Sequence, residues 1–429
     1  MIVQETPKGA WPVAMMLFAY MLVNFADKAV VGLAAVPIMT EMQLTPKQFG
    51  LLGSAFFLLF SISGVVVGFI ANRRPTRLII LLLALSWALV QFPMMFSVGF
   101  TTLLACRVLL GAGEGPGAAV ATHAVYKWFP DEQRTIPTAL LSQGSAFGVI
   151  IALPALNWVI VHYSWHHAFG VLGVVGLIWA GLWSVIGREG PLRDPPALAN
   201  TADRVPYSQL LLSRTFIGSA VACFGAYWSL SLGLTWATPF IIKGLGYSQS
   251  TAGWLATLPW VIGAITVISS GVISQRLVAR GVSTRLARGV LGTVPMILGG
   301  CLLVAMPFTG GGAAEIALLM LGTGLCGPIY VVCAPMLSEF TPVAQRGAVI
   351  AIFGAIYTLS GVLAPFVTGS LIEGAATALE GYHTGFLVAA AMQIGGGLAG
   401  LALMRPGADR TRVMRLRMHS TQMAPMPAA

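Results

Sequence analysis

The sequence predicts an all-α polytopic membrane protein with twelve transmembrane helices in two related six-helix halves. Three observations carry this expectation. The chain is 57% hydrophobic and only 9% charged, with a mean hydropathy of +0.83, so it is too apolar to present its surface to water. Twelve apolar stretches, each bounded by charges or turn residues, run along it. Loops that follow corresponding stretches in the two halves also resemble each other.

The stretches fall at about 11–36, 49–71, 78–98, 101–125, 138–160, 167–187, 211–236, 251–274, 288–307, 313–337, 347–371 and 382–404. Most are long enough to cross roughly 30 Å of hydrocarbon at 1.5 Å per residue. The first is long, lacks a basic start and carries charges in its interior, so it reads as a span and not a cleaved signal. Residues 188–210, with their prolines and mixed charges, read as a linker. The chain then divides into an N-terminal half (1–187), this linker (188–210), a C-terminal half (211–404) and a basic tail (405–429). GFIANRRPTR (68–77) after span two matches GVISQRLVAR (271–280) after span eight, and KWFPDEQR (127–134) matches SEFTPVAQRG (338–347). Such matching loops are expected of a transporter built from two related halves.

Net charge is +10, but its distribution points to topology. Of the 24 lysines and arginines, 20 fall on the side that holds both termini, two (Lys47 and Lys243) on the other, and two (Lys28 and Arg107) inside spans. The positive-inside rule therefore places both termini in the cytoplasm, as expected of a multi-pass protein of a bacterial inner membrane. The basic tail is expected to lie against anionic lipid, and no nucleic-acid partner is expected. The five cysteines show no metal or redox spacing and read as apolar fillers. His162, His166 and His167 cluster at a span edge without a cysteine or carboxylate near them in sequence, so they predict an interfacial role, not a metal site. The glycines of LLGAGEGPGAA lack the lysine and strand of a phosphate loop and predict close helix contact or a bend near Pro116. No cofactor motif or nucleophile–base set is present, so an enzyme is not expected.

The most informative residues are Asp27 and Lys28 in span one and Arg107 and Glu114 in span four. A charge near the bilayer centre costs roughly 2.5–3.5 kcal/mol even on a lenient scale, so such residues are kept where they face a cavity or each other. Arg107 and Glu114 are seven residues apart, which puts them on one helix face about two turns from each other. Tyr20, Asn24 and Asp27 recur at helical spacing, so one side of span one is polar at several depths. Two carboxylates beside two cations are the components of proton coupling to an anion. An anion that competes for Lys28 or Arg107 frees Asp27 or Glu114 to take a proton. The alternative is a set of structural ion pairs, but such pairs seldom repay their desolvation.

NFADKAVVG in span one, RVLLGAGEGP in span four and YKWFP followed by DEQR resemble the anion:cation symporter family of the major facilitator superfamily. Its relatives include bacterial sugar-acid transporters and the animal sialin and vesicular glutamate group. The resemblance covers residues 11–404 and implies the major facilitator fold. It further implies that Lys28 contacts a substrate carboxylate, that Asp27 and Glu114 take part in proton coupling, and that Arg107 organises the network.

Two departures bear on function. Lys28 stands where the family commonly has arginine, and lysine lacks the rigid two-donor fork. Asn72, and Gln275 in the second half, replace an acidic latch residue, so the usual salt-bridge gate is in doubt; Arg73, Arg77, Arg276 and Arg285 remain as gating candidates. Gly354 stands where sugar-acid relatives tend to carry asparagine. With Tyr20, Trp236, Tyr330 and Tyr357 as further candidate substrate contacts and Gln143 beside them, the sequence slightly favours an aromatic or hydrophobic carboxylate over a sugar acid. The expected activity is proton-coupled symport of an organic carboxylate by a functional monomer. A uniporter or exchanger is the nearest alternative, and a receptor or scaffold the one of a different class.

Overall fold

The structure is a computed structural model, and it describes residues 6–71, 73–130, 133–192 and 205–422. It is all-α over these residues, and twelve helices are long and apolar enough to cross a membrane. They are α1 (Ala10–Leu33), α2 (Pro46–Ala71), α3 (Thr76–Met95), α4 (Phe100–Tyr126), α5 (Ile136–His162), α6 (Trp165–Ile186), α7 (Arg214–Gly244), α8 (Gln249–Ala279), α9 (Arg285–Phe308), α10 (Gly312–Phe340), α11 (Val343–Gly374) and α12 (Ala378–Leu403). A thirteenth helix, α13 (Pro406–Gln422), follows. The spans agree with the hydropathy reading to within a few residues at most ends. The largest difference is α7, which runs on past Trp236 because the chain continues beyond Pro239 as one wide turn, Phe240–Gly244, before it breaks.

The packing repeats in the two halves. Helix α1 packs on α5 as α7 does on α11, α2 on α4 as α8 does on α10, and α3 on α6 as α9 does on α12. The matched loops have a physical counterpart. Arg134 Nε donates to the carbonyl of Phe129 (2.9 Å) and Arg346 Nε to that of Thr341 (3.1 Å), each five residues back. In both halves the arginine satisfies carbonyls at the end of the preceding helix.

Close approach of helices depends on glycine. A Cβ on Gly111 of α4 would lie 1.7 Å from the carbonyl oxygen of Phe56 in α2, and one on Gly32 of α1 would lie 1.9 Å from that of Leu234 in α7. The first contact is inside a half and the second is between halves. Helix α4 is interrupted at Gly115 and Pro116, where Pro116 has no N–H to donate, as the sequence anticipates.

The halves meet through α1 with α7, α2 with α11 and α5 with α8. Their contacts run from the face that bears the 34–45 loop down to mid-depth. Lys47 N–H donates to Glu373 (3.1 Å), Phe366 N–H to Ser54 Oγ (3.1 Å), Gln249 Nε2 to Leu33 O and to Asn157 Oδ1 (3.0 Å each), and Ser61 meets Thr358 at 2.5 Å. Toward the face that holds both chain ends, Gly68, Gly347 and Gly354 meet nothing within 4 Å. The inter-half hydrogen bonds of the described residues thus lie on the loop-face side of the molecule.

On the terminal face, Glu189 ties three elements together. It accepts from Thr76 Oγ1 (3.1 Å) and from the Arg77 backbone N–H (3.0 Å) at the start of α3, and it pairs with Lys127 after α4. A carboxylate there complements the positive end of the α3 dipole.

Gly111→Ala is expected to destabilise the fold by ~1–3 kcal/mol through overpacking, read as a lower Tm in detergent. Gly32→Leu is expected instead to leave the Tm near wild type while depopulating the loop-face-closed state, read as new thiol labelling at that face.

Glu189 carries a pH dependence. Burial pushes its carboxyl up, but the Arg77 N–H, the Lys127 ammonium and Thr76 outweigh this and hold it below the usual glutamate range. Its contribution to stability is therefore present above the unfolded value of roughly 4.3 and lost as pH falls through the lower folded value. Glu189→Gln is expected to lower the Tm at neutral pH and to flatten the fall in Tm below about pH 4.3, checked by melting curves across pH.

Candidate functional site

Four charged side chains meet inside the first half, each at most 8% exposed. Lys28 Nζ donates to Asn24 Oδ1 one turn back (2.7 Å) and lies 3.7 Å from Glu114 Oε2, an ion-pair separation. The meeting follows from helix geometry. Side chains lean toward the N-terminus of their own helix, and α1 and α4 run antiparallel, so Lys28 and Glu114 lean toward each other across the bundle. Lys28 also sits 4.0 Å from the Phe25 ring centroid and 4.9 Å from that of Phe60, and Arg107 lies 4.8 Å from that of Phe56. Aromatic faces thus give the cations part of the stabilisation that water would.

Asp27, fully buried, accepts from Gln91 Nε2 of α3 at 2.9 Å. Several polar atoms of the cluster make no hydrogen bond among the described residues: Asp27 Oδ2, Gln91 Oε1, Asn24 Nδ2, Arg107 Nε and Nη1, and both Glu114 oxygens.

Beside the cluster lies a cavity of about 330 Å³ between the halves, walled by α5, α7, α8, α10 and α11. Phe25, on which Lys28 rests, forms part of its wall and packs edge-on against Trp260, 6.0 Å between centroids. Gln143, Tyr330 and Tyr357 line it as the sequence suggested, and Tyr227, which sequence reasoning missed, joins the two tyrosines at 5.4 Å from Tyr357. Gly354, one turn before Tyr357, faces open space. The lining hydroxyls of Ser142, Ser145 and Thr323 donate to carbonyls of their own helices, so their protons are spent locally.

Two aromatic candidates lie elsewhere. Tyr20 is fully buried between Trp87 and Trp179, in the core of the first half. Trp236 donates from Nε1 to Pro365 O (2.9 Å) and packs on Phe49 and Tyr382 in the loop-face contact between the halves. Their positions in the sequence alone did not reveal which neighbours would cover them. Among the gating candidates, Asn72 lies outside the described residues. Arg77 Nη2 donates to Ser184 O (2.7 Å) and Arg285 Nη2 to Leu401 O (3.4 Å), each within its own half. Arg73, Gln275 and Arg276 are exposed at the terminal face.

The histidine cluster needs one correction. The sequence showed no carboxylate near it, but the fold brings Glu41 onto His166 Nε2 (2.9 Å) and onto Trp165 Nε1 (2.6 Å). Among the described residues, no group of three or more His, Cys, Asp or Glu side chains is placed to hold a metal ion.

A twelve-span bundle with repeated halves, an inter-half cavity and buried charges beside it defines a membrane transporter. Residues 16–365 match the Major Facilitator Superfamily, and the chain belongs to it. This is a family of transporters, not of enzymes. The chain is 26% identical over 414 residues to the hexuronate transporter of Bacillus subtilis (strain 168), covering 93% of this chain and 96% of that one. It is 24% identical over 389 residues to the D-galactonate transporter of Escherichia coli O6:H1, covering 84% and 88%. Among solved structures, a D-xylose-proton symporter superposes with a TM-score of 0.75 at 16% identity, covering 93% of this chain and 99% of that one. A bacterial homolog of the lysosomal transporter Spinster, in an inward-facing unoccupied conformation, gives 0.72 at 18%, covering 99% and 100%.

In a background lacking the five native cysteines, Gly354→Cys is expected to react with a membrane-impermeant maleimide from the terminal face and to be shielded by a transported anion. Labelling from the loop face alone would contradict access from the terminal face.

Proposed function

We propose that this protein is a proton-coupled symporter that carries an organic carboxylate into the cytoplasm by alternating access. The observation that carries the reading is the buried set Lys28, Glu114, Asp27 and Arg107 against the wall of the inter-half cavity. An anion arriving at Lys28 competes with Glu114 for the same ammonium, and a displaced carboxylate in a dry bundle is stabilised by taking a proton. Substrate entry and proton uptake are thereby linked through one cation. The names of the relatives, a hexuronate and a D-galactonate transporter, support a carboxylate as cargo.

In this reading Lys28 binds the carboxylate, Arg107 holds the network, and Asp27 and Glu114 carry the proton. Asn24, Gln143, Tyr330 and Tyr357 contact the substrate, and Tyr227 is added to them. Residues 11–187 rock against 211–404, with the terminal face, rich in arginine, on the cytoplasmic side. The structure described above then corresponds to the inward-open state of a functional monomer. The ring-rich wall, the locally spent hydroxyls and the open space at Gly354 favour an aromatic or hydrophobic carboxylate over a sugar acid.

The test is uptake of labelled hexuronates, hexonates and aromatic carboxylates into proteoliposomes with an imposed pH gradient and a separately clamped voltage. Uptake driven by inward proton flow is expected, and aromatic carboxylates are expected to compete best. Lys28→Ala is expected to lower uptake about 10- to 100-fold, the worth of a charge-assisted hydrogen bond, and Lys28→Arg to restore most of it. Asp27→Asn is expected to abolish proton-driven accumulation while sparing substrate counterflow. Uptake by active protein that ignores the gradient would instead establish a uniporter or exchanger.

A further inference from the structure

Gln91 lies on α3, four residues before its end, and is fully buried. A glutamine in a lipid-spanning helix costs free energy unless its amide is satisfied, and leucine would pack there more cheaply. Its Nε2 donates to Asp27 Oδ1, but its Oε1 has no partner, and neither has Asp27 Oδ2. The two orphaned atoms therefore belong to the two groups already joined by one hydrogen bond, and both are acceptors while Asp27 is ionised. One proton changes this. A carboxylic acid and a carboxamide each present one donor and one acceptor on the same edge, so they close a ring of two hydrogen bonds.

We infer that Gln91 is the positioning residue for the proton on Asp27: when Asp27 binds a proton on Oδ2, that O–H donates to Gln91 Oε1 while Gln91 Nε2 continues to donate to Oδ1. The carboxylate takes the proton from hydronium, leaving water, and passes from charge −1 to neutral. Every polar atom of the pair that is unsatisfied in the ionised state is then satisfied. The inference rests on the symport reading for its purpose, although the acid–amide pair is a structural claim in its own right.

The charged groups that face Asp27 are Lys28 on its own helix and Arg107 and Glu114 on α4. Among the described residues, α5, α6 and α7, which also pack on α1, bring no charged side chain against it. The two cations and the Nε2 donation of Gln91 all favour the ionised form, whereas the second hydrogen bond, to Gln91 Oε1, is open to the neutral form alone, so Asp27 has a partner in either state. Ionised, it faces Arg107 and Lys28; protonated, it belongs to α3. The pair also lies on the loop-face side of Glu114, since Asp27 is six residues from the loop end of α1 whereas Glu114 lies at mid-depth in α4. It is therefore the carboxylate that a proton from the loop face reaches first.

The test uses the full chain in proteoliposomes and reads the carboxylic C=O band of protonated Asp27 by infrared difference spectroscopy, assigned by its absence in Asp27→Asn. In Gln91→Met, which keeps the length and loses the amide, the band is expected to move to higher wavenumber, because the freed carbonyl no longer accepts a hydrogen bond. Gln91→Asn, which keeps an amide but withdraws it by one methylene, is the second variant should Gln91→Met fail to fold. An Asp27 band that ignores both substitutions, or no such band at any pH, would overturn the inference. If the band shifts but wild-type uptake ignores the proton gradient, the acid–amide pair stands and the symport reading fails.

Discussion

A charged side chain in hydrocarbon has no water to turn to, and the arrangement of the first half follows from that constraint. Lys28 lies against Glu114, Asn24 and two phenylalanine rings; Arg107 lies over Phe56; Asp27 is held by Gln91. These partners come from α1, α2, α3 and α4, so the contacts form only when those helices are close-packed. Gly111 permits this by letting α4 reach the Phe56 carbonyl of α2 without a side chain between them. The charges require the packing, and the small residues supply it.

The same logic separates the two halves in role. The first half holds the ions, whereas the cavity wall of the second half is made of Tyr227, Tyr330 and Tyr357 with small and apolar neighbours. His383 Nε2 and Glu315 Oε1 of the second half, 2.6 Å apart, lie toward the loop-face ends of α12 and α10, away from the tyrosines. In the proposed mechanism the first half reads charge and protons, and the second half reads the shape of the carbon skeleton. Ion chemistry tolerates little variation in position, and a ring-lined wall can be remodelled without disturbing it.

The contact between the halves is suited to breaking and reforming. Gly32 against Leu234, and Gly50 and Gly53 against Pro365, bring the helices together over backbone and small side chains. The cross-half hydrogen bonds among the described residues are neutral or sit at the loop-face edge, as with Lys47 and Glu373. Contacts of this kind cost little to exchange for water when the loop face opens. Ion pairs such as Lys127 with Glu189 and Arg288 with Glu339 stay inside each half, as the proposed rocking of one half against the other requires.

The sequence by itself determined the class of fold, the twelve spans, the repeat and the four buried charges. Hydropathy and charge placement are one-dimensional consequences of the bilayer, and a lysine such as Lys28 inside an apolar run is visible without knowing its neighbours. It also anticipated the break at Pro116, and it named Gln143, Tyr330 and Tyr357 as candidate substrate contacts. Which side chains meet was decided only by the tertiary structure. Tyr20 and Trp236 were legible as aromatic candidates, yet neighbouring helices cover them, and Gln91 and Tyr227 became notable only through what they touch. Glu41 reaches His166 across 125 positions of sequence. Helical periodicity specifies which way a residue points along its own axis, whereas the partner it finds depends on how separate helices are rotated and stacked, and no local pattern encodes that.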